Sequence, residues 1–280
     1  MNYQNLLKSA YKELKLIPVN NPILDSEILL SNSLNISREK LLLNLNKKTT
    51  ESEIKKFNFL LEKRKKKKPI AYIFNKKEFW NINFFVNESV LIPRPDTEIL
   101  VEQSLNNLRP EKSYQVLDIG TGSGCILISI LKERKKCKGI GIDISKEAIK
   151  VAKINAKMQQ LENRIKFVYS DVDKFLSNKY DLIVSNPPYI KKCEIIKLDG
   201  DVKNYEPYVA LNGGSDGLLE TRKVIKASSR LLKNRGKLIL EIGHDQLQEI
   251  KKMLEYNKFF INNVSRDLAG RNRCVTSTKI

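Results

Sequence analysis

The sequence predicts an α/β protein in which a largely parallel sheet, with helices on both faces, follows a small helical domain. Two observations carry this. From Gln115 onward, strand-like apolar runs alternate with helical segments, the order in which crossover helices join parallel strands. From Tyr3 to about Lys68, apolar residues recur at helical spacing instead. A length of 280 residues accommodates both parts.

Taken in order, Leu6, Leu7, Ala10, Tyr11 and Leu14 form a first apolar helical stripe. Ile23, Ile28 and Leu29 form a second, and Ile54, Phe57, Leu60 and Leu61 another. Ser37 before Arg38-Glu39-Lys40 marks one helix start, and Thr50 with Glu53 three residues on has the capping-box pattern. Between Glu78 and Ile92 aromatic and β-branched residues alternate, which predicts a hairpin turning at Asn87-Glu88-Ser89 and bridging the two domains. Strands are then expected at Gln115–Ile119, 139–144, Ile165–Tyr169, 182–184 and 237–241, with two last runs near 259–264 and 274–278. Helices are expected from Ser123, Lys146, Leu218 and Asp245. The expected organisation is a helical domain over 1–75, a hairpin linker over 76–95 and a catalytic domain over 96–280.

Composition narrows the function classes. A hydrophobic fraction of 41% and a charged fraction of 30% suit a soluble globular chain. No apolar run approaches the roughly 20 residues of a membrane helix, and the N-terminus lacks a signal-peptide pattern, so a cytoplasmic location without membrane contact is expected. Cys125, Cys137, Cys193 and Cys274 form no CxxC pair and His244 is the only histidine, so no zinc-ligand spacing exists and no metal is expected. The net charge of +19 fits either an acidic partner or a uniformly solvated basic surface. Its densest run, Lys63 to Lys68, ends a predicted helix, where cations favour the carbonyl end.

Two loops carry the chemistry. Val116-Leu117-Asp118-Ile119 runs into Gly120-Thr121-Gly122-Ser123-Gly124, whose glycines permit positive φ and close ligand approach. The next strand ends in Asp143, a carboxylate suited to both hydroxyls of a ribose. Cys125 occupies the position where a dinucleotide fingerprint needs its third glycine, which tilts the nucleoside towards S-adenosyl-L-methionine. Asp171, at the end of the third strand, is where an adenine amino group would be met, with Val172 beside the ring; Asp171 equally suits a helix cap.

The fourth strand runs into Asn186-Pro187-Pro188-Tyr189, where two prolines fix a rigid extended exit. An amide or exocyclic amine nitrogen is a poor nucleophile because its lone pair is delocalised. The Asn186 side-chain oxygen and the Pro187 carbonyl can bind its two N–H groups and turn the lone pair towards a sulfonium methyl. Tyr189 would lie flat against the planar substrate group. A proline-rich turn or peptide motif is the plain alternative, and His244 is expected at a helix start or on the surface.

These residues resemble the peptide chain release factor glutamine N5-methyltransferases over nearly the whole chain. The likeness rests on Pro69-Ile70-Ala71-Tyr72-Ile73, Glu78-Phe79-Trp80, Leu91-Ile92-Pro93-Arg94-Pro95-Asp96-Thr97-Glu98, the glycine loop and Asn186-Pro187-Pro188-Tyr189. It continues through Tyr205-Glu206-Pro207, Ala210-Leu211, Gly213-Gly214, Asp216-Gly217-Leu218, Glu241-Ile242-Gly243 and Asp267-Leu268-Ala269-Gly270. The resemblance implies a seven-stranded, Rossmann-like class I methyltransferase domain, a β-hairpin linker and a helical domain that helps to recognise the release factor. It implies that Gly120 to Gly124 and Asp143 hold S-adenosyl-L-methionine, and that Asn186 to Tyr189 hold the glutamine of a Gly-Gly-Gln motif in translation termination. Arg94 and Glu98 fall where the family's linker borders the cofactor pocket, or form an ion pair or cap. Asn75 stands where glycine is common, and Asn tolerates positive φ.

Three rival functions share parts of this pattern. The same loop chemistry suits an exocyclic amine of a DNA or RNA base, but such enzymes extract a base and usually carry a dedicated recognition domain, so stable nucleic-acid binding is not expected. A ribosomal-protein glutamine is an alternative substrate. A non-enzymatic adaptor is disfavoured because both loops are intact.

Overall fold

Side-chain caps set where the first helices begin. In the computed structural model, which describes residues 1–177 and 179–280, Asn2 accepts from the Asn5 N–H to start α1 (Tyr3–Lys15). Asn21 accepts from Leu24 N–H, with Pro22 as the first residue of α2 (Pro22–Ser33). Ser37 caps α3 (Arg38–Leu42). Thr50 and Glu53 exchange both capping-box bonds at the start of α4 (Glu51–Lys65), and α5 (Ile70–Ile73) follows. Leu6, Ala10, Leu14, Leu29, Leu30 and Phe57 are buried in one core, whereas Ile23, expected on the second stripe, is exposed.

Met1–Phe74 form one compact unit together with Gly200–Tyr205. Within it Arg64 is buried, its Nε 2.6 Å from Asp25 Oδ2 and its Nη1 2.7 Å from Asp201 Oδ2. The guanidinium fork thereby ties the late segment into the helical core.

Asn75–Asp199 and Glu206–Ile280 form the second unit. Asn75 has φ 51°, so this asparagine does adopt the left-handed conformation expected of it. The hairpin β1 (Lys76–Phe79) and β2 (Ile82–Phe85) turns at Trp80-Asn81, not at Asn87-Glu88-Ser89 as the sequence suggested. Trp80 and Asn81 have φ 52° and 54°, the signature of the two-residue turn that matches strand twist. Trp80 is held there by its N–H donating to Glu98 Oε1 at 2.8 Å and its indole N–H donating to Glu133 Oε1 at 3.2 Å.

A 3-10 turn, Pro95–Thr97, leads into α6 (Glu98–Asn107). Strands and helices then alternate: β3 (Gln115–Ile119), α7 (Cys125–Glu133), β4 (Lys138–Asp143), α8 (Lys146–Met158), β5 (Ile165–Tyr169) and β6 (Tyr180–Ser185). After α9 (Gly200–Tyr205) come α10 (Leu219–Leu231), β7 (Leu232–Glu241), α11 (Leu247–Tyr256), β8 (Phe259–Arg266) and β9 (Asn272–Lys279). The seven strands lie in the order β5-β4-β3-β6-β7-β9-β8, with β9 antiparallel to both neighbours. Leu117, Ile183, Leu238 and Leu240 are buried in the sheet, as the apolar runs of doubly covered strands predict. The chain winds outward from β3 to β5 and returns to β6 beside β3, which makes the β3–β6 boundary the switch point where ligands bind in such sheets. Among the described residues no helix is long and apolar enough to cross a membrane.

Candidate active site

Strand register decides which residues meet at the carboxyl edge of the sheet. Ile119 pairs with Ile142 on one side and Ser185 on the other, and Ser185 pairs with Leu240. Gly120, Asp143, Asn186 and Glu241 are the next residues on those four strands, so they cluster at one edge. A cavity of about 330 Å³ opens there. Gly120, Thr121, Gly122, Ser123, Asp143, Asp171, Val172, Asn186, Pro187 and Pro188 all line it, whereas Gly124 and Tyr189 do not.

Backbone geometry explains the glycine loop. Gly120 and Gly122 have φ 73° and 54°, and nothing lies within 4 Å of where a Cβ would stand on either. Their open faces leave the main chain accessible to a ligand. Gly120 and Thr121 N–H both donate to the Ile142 carbonyl at 2.9 Å, which locks the loop to β4. Asp143 adds a second lock, its Oδ2 accepting from Gly122 N–H and its Oδ1 from Ser145 N–H, each at 2.9 Å. Burial raises the Asp143 carboxyl above its ordinary range, against the pull of these backbone donors.

Beneath the loop, the Thr121 hydroxyl donates to Asp118 Oδ2 at 2.7 Å. Burial pushes the Asp118 carboxyl up to about 7, and its Oδ1 has no hydrogen-bond partner among the described residues. Asp171 caps a turn, not a helix: its Oδ1 accepts from Asp173 N–H at 3.0 Å.

On the opposite wall, Asn186 Nδ2 donates to Thr97 Oγ1 at 3.2 Å. Tyr189 turns its hydroxyl towards Glu241 Oε1, 3.5 Å away. Burial pushes the Tyr189 phenol up to about 12 and the Glu241 carboxyl up to about 7. Arg94 lines the cavity and pairs with Glu206, Nη2 to Oε1 2.6 Å, so it is ion-paired at the pocket border. Glu98 accepts from Trp80 N–H and is not part of the lining. His244 is exposed, in the turn before α11. Cys125, Cys137 and Cys274 are buried thiols and Cys193 an exposed one, all free.

Sequence reasoning assigned no role to Thr97, Glu241 or Gln246. Glu241 had a readable signal: it ends Leu238-Ile239-Leu240-Glu241 as Asp143 ends its own strand. Thr97 and Gln246 had none, since both act through contacts distant in sequence.

The seven-stranded order and the loop pair at its switch point define a Rossmann-like methyltransferase domain. A family model described as methyltransferase domain matches residues 110–278, and one described as PrmC N-terminal domain matches residues 5–74. A solved methyltransferase from Pyrococcus furiosus superposes with TM-score 0.55 at 16% identity over 81% of this chain and 98% of its own. The release factor glutamine methyltransferase of Clostridium acetobutylicum is 40% identical, covering 100% of this chain and 99% of that protein. The Buchnera aphidicola protein of the same name is also 40% identical, over 100% of both chains. The chain belongs to the release factor glutamine methyltransferase family. The bifunctional methyltransferase of Rickettsia prowazekii is 39% identical over 99% of this chain, which spans 57% of that longer protein.

Proposed function

We propose that the protein uses S-adenosyl-L-methionine to methylate the side-chain amide nitrogen of the glutamine in a Gly-Gly-Gln loop of peptide chain release factors, acting in the cytoplasm. The carrying observation is the register that brings Gly120 and Asn186 side by side into one cavity. The names borne by the full-length relatives support the substrate.

The residues suit the methyl donor. The vacant Cβ positions of Gly120 and Gly122 leave room against the main chain. Asp143 stands where a ribose can displace or share its backbone donors, and Val172 offers an apolar face to a ring. Asp171 lines the same wall for an adenine amino group. When bound, the donor would supply an electrophilic methyl whose bond to sulfur breaks with its electron pair left on a neutral thioether, while one N–H proton of the acceptor is lost to solvent.

The chain's own contribution is orientation. Asn186 Oδ1 and the Pro187 carbonyl accept the two N–H groups of the glutamine amide and turn its nitrogen lone pair out of conjugation. Positive charge developing on that nitrogen then faces two fixed acceptors in a site with largely apolar walls, where dipoles act more strongly than in water. Tyr189 stands outside the cavity lining, and its hydroxyl contact to Glu241 anchors the end of the loop. The Pro187-Pro188 pair keeps both acceptors from relaxing.

The test is incubation of the protein and labelled donor with purified release factors, ribosomal proteins and duplex DNA. Label is expected on the release factors and lost when the Gly-Gly-Gln glutamine is replaced. Label persisting on that replaced factor, or DNA labelled as readily, would overturn the reading in favour of another acceptor nitrogen.

A further inference from the structure

The turn Asp267-Leu268-Ala269-Gly270 joins β8 to β9, and strand register places it. Glu241, the last residue of β7, pairs with Cys274 on β9, and Ile242 N–H donates to the Arg273 carbonyl at 2.9 Å. Because β7 runs parallel to β6, the turn stands at the same edge of the sheet as Gly120 and Asn186. In the order β5-β4-β3-β6-β7-β9-β8 it lies beyond Asn186, on the side away from Asp143. At about 4.8 Å per strand, that is roughly 10 to 15 Å from the end of β6. Arg273 links the two places, its Nη2 lying 2.9 Å from Asp267 Oδ2 and 3.2 Å from Asp96 Oδ2. Asp96 precedes Thr97, whose hydroxyl oxygen accepts from Asn186 Nδ2.

The turn is firmly held and its tip is apolar. Asp267 Oδ1 accepts from the N–H groups of Ala269 and Arg271 at 3.0 and 2.9 Å. The Asp267 carbonyl accepts from Gly270 N–H, and its own N–H donates to the Arg271 carbonyl, both at 2.9 Å. Leu268, presented by this frame, is fully exposed. A lone exposed leucine on a solvated face is ordinary. This one adds nothing to the core, yet its backbone is pinned through both oxygens of one carboxylate, so seating it against a partner orders little that is not ordered already.

Two observations choose the partner. Tyr208 and Val209 line the cavity and are about half exposed, so whatever delivers the acceptor nitrogen meets an apolar mouth. Arg266 and Arg271 are exposed on either side of the turn, and with a net charge of +19 they repel a second copy of this chain and suit an acidic protein. We propose that Leu268 is a docking anchor for the protein substrate, seated in an apolar hollow of the release factor beside carboxylates that meet Arg266 and Arg271, while the glutamine loop occupies the cavity. This rests on the reading that a release factor is the substrate.

The experiment measures kcat and KM for a purified release factor with Leu268→Ala, Leu268→Asp and Tyr256→Asp in the full chain. Tyr256 is also highly exposed, but it ends α11 just before β8 begins, at the opposite edge of the sheet, so Tyr256→Asp makes the same charge change away from the turn. Leu268→Ala should raise KM roughly tenfold, the effect of returning a leucine side chain to water, and Leu268→Asp should raise it further. In both, kcat should stay within about twofold, with donor affinity by calorimetry and melting temperature unchanged. Tyr256→Asp should match the wild type. An unchanged KM for Leu268→Asp overturns the docking role, as does an equal rise for Tyr256→Asp, which would reduce the effect to net charge. A fall in kcat with KM unchanged overturns it too, by assigning Leu268 to the chemistry. Wild type that labels no release factor removes the functional reading and this partner together, whereas wild-type labelling that Leu268→Asp leaves untouched removes the docking alone.

Discussion

The side chain of Gln246 donates to the main-chain carbonyl of Tyr189 at 3.0 Å. The same Nε2 reaches the Gly217 carbonyl at 3.0 Å, and Oε1 accepts from Gly243 N–H at 3.0 Å. One buried amide thus pins the exit of the Asn186-Pro187-Pro188-Tyr189 loop. Gln246→Leu strands buried backbone groups, at a cost of about 2 to 3 kcal/mol. A melting point lower by roughly 5 to 10 °C is expected for the ligand-free protein. Unchanged melting would show that the loop is held by other contacts.

Asp143→Ala should weaken S-adenosyl-L-methionine binding by at least tenfold, since charge-assisted hydrogen bonds contribute about 1.5 to 3 kcal/mol each. The carboxylate also anchors Gly122 and Ser145, so part of the loss should appear as a looser glycine loop. Calorimetric titration measures the first effect, and hydrogen exchange at the Gly122 amide the second. A folded variant with wild-type affinity would remove Asp143 from the donor site.

Asn186→Ala should remove most turnover and leave donor affinity within a few-fold, as the role proposed for its side chain at the acceptor nitrogen requires. Single-turnover rates set beside calorimetry separate the two. Equal loss of both would make Asn186 a ligand of the donor.

Asp118 makes stability pH-dependent. Its folded pKa of about 7 lies above the ordinary 3.8, so the folded state binds a proton more tightly than the unfolded state between those values. Stability therefore declines as pH rises through this window and levels off above about 7. Asp118→Asn keeps an acceptor for the Thr121 hydroxyl and cannot ionise. Its stability relative to wild type should increase from pH 4 to pH 7. Denaturation midpoints of both proteins across that range provide the check, and a constant difference would mean that Asp118 stays charged in the fold.

Asn81, at φ 54°, sits where β-branched residues are strained. Asn81→Ile should destabilise by roughly 1 to 2 kcal/mol, and Asn81→Gly should be nearly neutral. Urea midpoints of the two variants should separate accordingly; coincidence would mean that the turn relaxes to another form.

The central sheet was legible because strands covered on both faces must be apolar almost throughout, and the predicted runs at Gln115–Ile119 and Ile165–Tyr169 match β3 and β5 end to end. The hairpin turn was misread because Asn87-Glu88-Ser89 has turn-forming residues, whereas Trp80 is held at positive φ by Glu98 and Glu133, 18 and 53 positions away. The site divides in the same way. Its two loops are contiguous strings whose chemistry can be read in place. Thr97 lies 89 positions from the Asn186 it fastens, and Gln246 57 from Tyr189, so only the tertiary packing of the turns before α6 and α11 brings them together.

The Arg64–Asp201 ion pair spans 137 positions, and that distance imposes an order in time. A ribosome adding about 5 to 20 residues per second delivers Asp201 roughly seven seconds to half a minute after Arg64. During that interval Arg64 has Asp25 as a carboxylate partner and lacks its second one, and Tyr205 is not yet present to donate its hydroxyl to the Lys66 carbonyl. Strands β3 to β6 emerge in the meantime. Closing so long a loop costs little more entropy than closing a shorter one, because the cost grows only with the logarithm of length. The helical unit, begun ahead of the sheet, is thus completed only when α9 follows β6, before the last three strands of the sheet.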